Sequence, residues 1–267
     1  MNLISYGFFI YILLLIDTAS IRSLDTKTIS KLGFAIFILV SGQLVVAISW
    51  SKYLANEFKI SFLMSLQSWL ISIKGKYTPG KIASPILRLE DSIFDGKRKQ
   101  LYFSIFIEQL YLIASNIFLS IYVFFVNSYK MEFHILAFIL FSIFLNLLSK
   151  LNFKKFDFKY LRVTYILQFS VLLNFLGIFL SFNSILEQNV LIYTLVYQLS
   201  TAVGMIISIV PAGVGVREVS VIQLLKVLKI EIENLNLSIL IIRVQLLIAD
   251  LVLTLMGLLI KILKKNY

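Results

Sequence analysis

Cysteine is missing altogether from the 267 residues. That excludes disulfides, thiolate metal sites and a cysteine nucleophile. Histidine occurs once, as His134, and no His/Cys/Asp cluster has the spacing of a metal site. No glycine-rich loop is followed by Lys-Ser or Lys-Thr to cradle nucleotide phosphates, and no Gly-x-Ser-x-Gly elbow is present. The longest hydrophilic stretch, roughly 74–100, is far too short for a catalytic domain. The expectation is therefore a protein that is not an enzyme and takes no metal or cofactor. Charge is also scarce, at 15% of residues against about 25% in soluble domains. Acidic residues number 14 against 25 basic ones, for a net charge of +11.

What fills the chain is apolar: 59% hydrophobic residues and a mean hydropathy of +0.91. A soluble fold could not hide that much apolar surface. A membrane span needs about 20 mostly apolar residues. Six segments qualify: about Leu3–Ala19, Leu32–Trp50, Leu101–Val126, His134–Ser149, Val163–Phe182 and Leu237–Ile260. The first has no basic stretch before it and no small-residue cleavage site after it, so it reads as a span rather than a signal peptide. The fold class is all-α and polytopic, one transmembrane domain over residues 1–267. The basic residues lie in short stretches between apolar runs, as the positive-inside rule places them. They form no patch with interleaved stacking aromatics, so nucleic acid is not an expected partner. The many Phe and Tyr residues read as lipid-facing bulk and interface anchors.

Two further apolar regions are broken. The first, from Ile60 to about Phe94, is interrupted by Lys74-Gly75-Lys76-Tyr77-Thr78-Pro79-Gly80-Lys81. The second, from about Val190 to Ile230, is interrupted by Pro211-Ala212-Gly213-Val214-Gly215-Val216-Arg217-Glu218. Proline removes a helix donor and glycine frees the backbone, so a helix must break at each. The arms after the breaks are too short to span. Two re-entrant hairpins fit, with ordinary loops between tilted helices as the other reading. With both hairpins re-entrant and the termini cytoplasmic, 17 of the 25 basic residues fall on the cytoplasmic side. An opposite orientation, with 60–99 crossing once, stays open. Each half then reads span, span, broken hairpin, span, with pseudo-repeats at about 1–126 and 134–260. An inverted repeat of that kind builds its site from discontinuous helices at the repeat interface.

Charges inside a membrane are costly and point to function. Glu108 lies 29 residues after Pro79, and Arg243 lies 32 after Pro211, similar places in the two halves. They could pair with one another. Asp250 is two helical turns from Arg243 and could balance it. Arg217 and Glu218 open the helix after the second break. An arginine beside free N–H groups and glycines makes a place for an anion. Arg217 could instead pair with Glu218 or Glu108. A carboxylate at Glu218 suits the positive end of a helix. His134 reads as interfacial.

The run Pro211–Glu218 resembles the Pro-x-Gly-x-Gly-x-Arg-Glu signature of the flippase-like membrane family, which includes the transmembrane region of lysylphosphatidylglycerol synthases. Arg243 resembles that family's arginine in the last span. Gly75–Lys81, with Pro79, Gly80 and Lys81, is similar to its Gly-basic-aromatic-x-Pro-Gly-basic break. Glu108 resembles the acidic residue of its Glu-Arg pair, although Gln109 stands where arginine is common. Ala83-Ser84 stand where many members carry Gly-Glu.

The resemblance implies handling or translocation of a charged lipid in cell-envelope lipid or glycan biosynthesis. The lipid would be an anionic phospholipid or a polyprenyl-phosphate-linked glycan. Its expected site residues are Arg217, Glu218, Pro211, Gly213, Gly215, Arg243, Glu108, Pro79, Gly80 and Lys81. The expected setting is a plasma membrane, crossed several times, with homo-oligomers or envelope-biosynthesis proteins as further partners. A competing expectation is an accessory or scaffold subunit of a membrane glycan-assembly complex that transports nothing itself.

Overall fold

The computed structural model describes residues 25–78, 83–90, 94–121, 164–186, 188–207, 213, 215–230 and 235–265. Among them the helices run in the order α1 Thr26–Phe58, α2 Phe62–Ser72, α3 Ala83–Arg88, α4 Arg98–Ile121, α5 Thr164–Ile185, α6 Val190–Ile206, α7 Val216–Val227 and α8 Leu235–Lys265. A 3-10 turn at Ile73–Tyr77 extends α2, and the described residues contain no strand. Helices α1, α4, α5 and α8 are long and apolar enough to cross a membrane. They coincide with four of the six expected spans. The other two, about Leu3–Ala19 and His134–Ser149, lie outside the described residues.

The long helices have local causes. Asp25 caps α1, its carboxylate accepting from the Thr28 N–H at 2.9 Å, and no proline interrupts the 33 residues that follow. Lys59 ends the helix in the left-handed region, φ 56, with its N–H on the Leu54 carbonyl, the usual way to satisfy a helix end. The side chains are sorted as lipid would sort them. Helix α8 turns Leu251, Leu255, Leu259 and Ile262 outward and buries Arg243, Gln245 and Asp250. Lipid tails are as apolar as leucine, so association rests on close packing and interior polar contacts. Aromatics divide between the two settings. Phe34, Phe37, Phe106 and Phe169 face outward as expected, whereas Trp50, Tyr53, Trp69, Phe182, Tyr193 and Tyr197 are buried.

The interface of α1 with α5 shows the small-residue requirement directly. A Cβ on Gly42 would stand 2.8 Å from Asn174 Nδ2, and one on Gly177 would stand 2.8 Å from Leu39. Two apolar clusters flank this seam. One gathers Trp50, Leu54, Trp69, Leu70, Leu89, Leu101 and Leu253 around the first broken segment. The other gathers Phe175, Phe182, Tyr197, Val221, Leu225 and Ile242 around the second.

Both expected breaks are present. Helix α2 has 11 residues, about 16 Å at 1.5 Å per residue, well short of a hydrocarbon core of about 30 Å. Helices α2 and α3 pack together, and a Cβ on Gly75 would fall 2.4 Å from the Ser84 nitrogen. Gly75 and the start of α3 thus approach at a point where only glycine fits. Helix α6 has 17 residues and α7 has 12, and these two also pack together. The packing partners exchange between the halves: α1 lies along α5, α4 along α6 and α8 along α2, with α1 against α2 and α5 against α6.

Candidate functional site

The second break shapes the start of α7. Gly215 precedes the helix at φ 79 and Gly213 sits at φ 68, left-handed backbone that side chains resist. The first helical bond runs from the Val219 N–H to the Gly215 carbonyl at 2.9 Å, and the Glu218 carboxylate accepts from the backbone N–H groups of Gly215 and of Glu218 itself. Arg217 folds back onto α6 across two glycines. A Cβ on Gly204 would meet Arg217 Cγ at 2.7 Å and Nε at 2.9 Å; one on Gly213 would meet Nε at 3.2 Å. The Arg217 Nε is buried and has no hydrogen-bond partner among the described residues. Among the described residues Arg217 forms no salt bridge.

Glu218 gives its carboxylate to Arg243 of α8, whose Nε donates to Oε1. Arg243 Nη2 also donates to the Gly213 carbonyl at 3.2 Å. The second carboxylate oxygen, Oε2, is buried without a partner. The Tyr197 phenol, on α6, lies within electrostatic reach of both guanidinium groups. Tyr197 is 1% exposed, and its hydroxyl has no hydrogen-bond partner among the described residues.

The first break arrives at the same helix. Two turns beyond Arg243, Asp250 Oδ2 accepts from the Tyr77 hydroxyl at 2.7 Å and Oδ1 from Lys76 Nζ at 3.2 Å. Lys76 also donates to Gln43 Oε1 of α1 at 3.0 Å. Tyr77 is itself within electrostatic reach of Arg217 and Arg243. The tips of both breaks thus converge on α8.

Several expected pairings are corrected. Glu108 does not meet Arg243: it is fully buried and accepts from Arg88 Nη1 at 3.0 Å. The guanidinium of Arg88 stacks over Trp50 and Trp69, with its Cζ 5.0 and 5.4 Å from their ring centroids. The Ser68 hydroxyl donates to the Arg88 carbonyl. Arg88 is therefore an interior residue and not one of the loop cations counted for topology. Asp250 balances Lys76 rather than Arg243. Glu218 forms its salt bridge with Arg243 rather than Arg217, with Arg217 within its electrostatic reach. Each half consequently holds an ion pair between the arm after its break and the long helix that follows, with the charges reversed: Arg88 with Glu108, and Glu218 with Arg243.

Of the expected site residues, Arg217, Glu218, Gly213 and Arg243 come together, with Gly215 preceding α7. Glu108 belongs to the separate Arg88 cluster. Pro79, Gly80, Lys81 and Pro211 lie outside the described residues, as does His134. The residue reading passed over Tyr197, hidden in an apolar helix, and Arg88, hidden in a charged stretch. Lys76 and Tyr77 were visible only as part of the break motif. Among the described residues no group of His, Cys, Asp or Glu could hold a metal ion. Two guanidinium groups and a phenol suit the binding of an anion. No protein-family model, curated protein or solved structure matches the chain.

Proposed function

We propose that this membrane protein handles or translocates a lipid with an anionic headgroup, and that Arg217 is the headgroup contact. One observation carries the reading: an arginine in the first turn of α7 whose enclosed Nε has no hydrogen-bond partner and to which no anion is paired among the described residues. A buried charge left uncompensated is strongly destabilising, and an incoming phosphate would compensate it. The glycine faces at Gly204 and Gly213 hold the arginine stem, and Glu218 holds Arg243 beside it. In this reading the two broken segments are re-entrant hairpins of an inverted repeat. The exchange of packing partners between halves and the convergence on α8 support it. So does the resemblance of Pro211–Glu218 to the flippase-like signature.

The test is headgroup translocation in proteoliposomes, with fluorescent anionic phospholipids and a polyprenyl phosphate. Wild type should move at least one class, and Arg217→Gln should abolish the movement while the protein stays folded. Full movement in folded Arg217→Gln would remove the assignment. No movement of either class by the folded wild type would favour an accessory subunit instead.

A further inference from the structure

Of the three cations where the breaks converge, two already have an anion. Arg243 is held by Glu218 and Lys76 by Asp250 at 3.2 Å. The phenols Tyr77 and Tyr197 add hydroxyls, not charge. Of these three only Arg217 has no salt bridge among the described residues, so the described cluster stands one positive charge from balance. Its unused donors are the Arg217 Nε and the Tyr197 hydroxyl, both buried.

We infer that the site is matched to a headgroup with a single negative charge, a phosphodiester, and discriminates against diphosphates; this rests on the anion-site reading above. A phosphodiester would bring the part-buried cluster to neutrality and offer its two unesterified oxygens to the unused donors. A diphosphate brings further negative charge, for which the described residues supply no cation. Charge left over in a part-buried cluster weighs more than in open water.

The selectivity is testable on purified full-length protein in micelles, by calorimetric titration. The matched probes are dioctanoyl phosphatidylglycerol and dioctanoylglycerol diphosphate, which share their tails and differ in headgroup. Dimethyl phosphate serves as a tail-free monoanion. Wild type should bind the phosphatidylglycerol at least tenfold more tightly than the diphosphate, and Arg217→Gln should lose both. Glu218→Gln removes one anion from the cluster and should move the ratio at least tenfold toward the diphosphate. Because that change could loosen α7, Asp250→Asn removes an anion at the other break and should shift the ratio the same way.

Equal or tighter binding of the diphosphate by wild type would overturn the inference. So would an unchanged ratio in both folded variants. Binding of neither lipid by folded wild type would instead defeat the anion-site reading beneath it. Dimethyl phosphate binding as tightly as phosphatidylglycerol would uphold charge selection and reassign the ligand to a soluble diester.

Discussion

At Glu108 the carboxylate is fully enclosed, and its contact with Arg88 at 3.0 Å is an interior ion pair. Removing one member of such a pair strands the other without compensation. Arg88→Met should therefore cost about 3–5 kcal/mol, visible as a large fall in detergent thermal unfolding. Arg88→Met combined with Glu108→Leu should recover much of the loss. A small effect of the single change would show that the pair is not buried in this way. Arg217 is the contrasting case, since its charge has no salt bridge among the described residues. The sequence made Arg217 conspicuous because it sits in a motif. Arg88 was opaque because a cation in a polar stretch looks solvated until Trp50, Trp69 and Glu108 are brought around it. No one-dimensional pattern records a partner 20 residues away.

Among the helices, what was legible followed local rules. The spans in α1, α4, α5 and α8 are long apolar runs, and the two breaks carry proline and glycine. The pairing of α1 with α5 was not legible, because it depends on Gly42 and Gly177 meeting the right neighbours across the bundle. The start of α1 has its own titration. The Thr28 hydroxyl, and after it the Thr28 N–H, hold the Asp25 carboxyl below its ordinary value of 3.8. A lowered folded-state value means that the cap's contribution is complete above about pH 3.8 and disappears as pH falls through the depressed value. Hydrogen exchange at Thr28 and Ile29 should quicken over that acid range beyond its intrinsic trend. In Asp25→Asn that extra acid step should be absent; its persistence would assign the effect elsewhere.

For the molecule as a whole, the contacts exchange between the halves: α4 lies along α6 as α8 lies along α2. The order of elements was readable from hydropathy, but which helix touches which was not. The absence of native cysteine makes the arrangement easy to probe. A Cβ on Gly257 would stand 2.8 Å from Leu70 Cβ, so Leu70→Cys with Gly257→Cys should cross-link in membranes once the helices part by the roughly 1 Å that a disulfide's Cβ spacing needs. Phe37→Cys with Leu255→Cys, on outward-facing positions, should cross-link less. Failure of the first pair would place α2 elsewhere.

Asp250 and Arg243 share one unbroken helix, about 10 Å apart along its axis, and each grips a different break. That shared helix makes the two grips thermodynamically reciprocal. Whatever factor a headgroup at Arg217 applies to the hold of Tyr77 on Asp250, loosening that hold must apply to the headgroup's affinity. Tyr77→Phe should thus change lipid affinity by a coupling free energy of about 1–3 kcal/mol, measured as a shift in Kd. An unchanged Kd would mean that the two breaks meet on α8 without influencing one another.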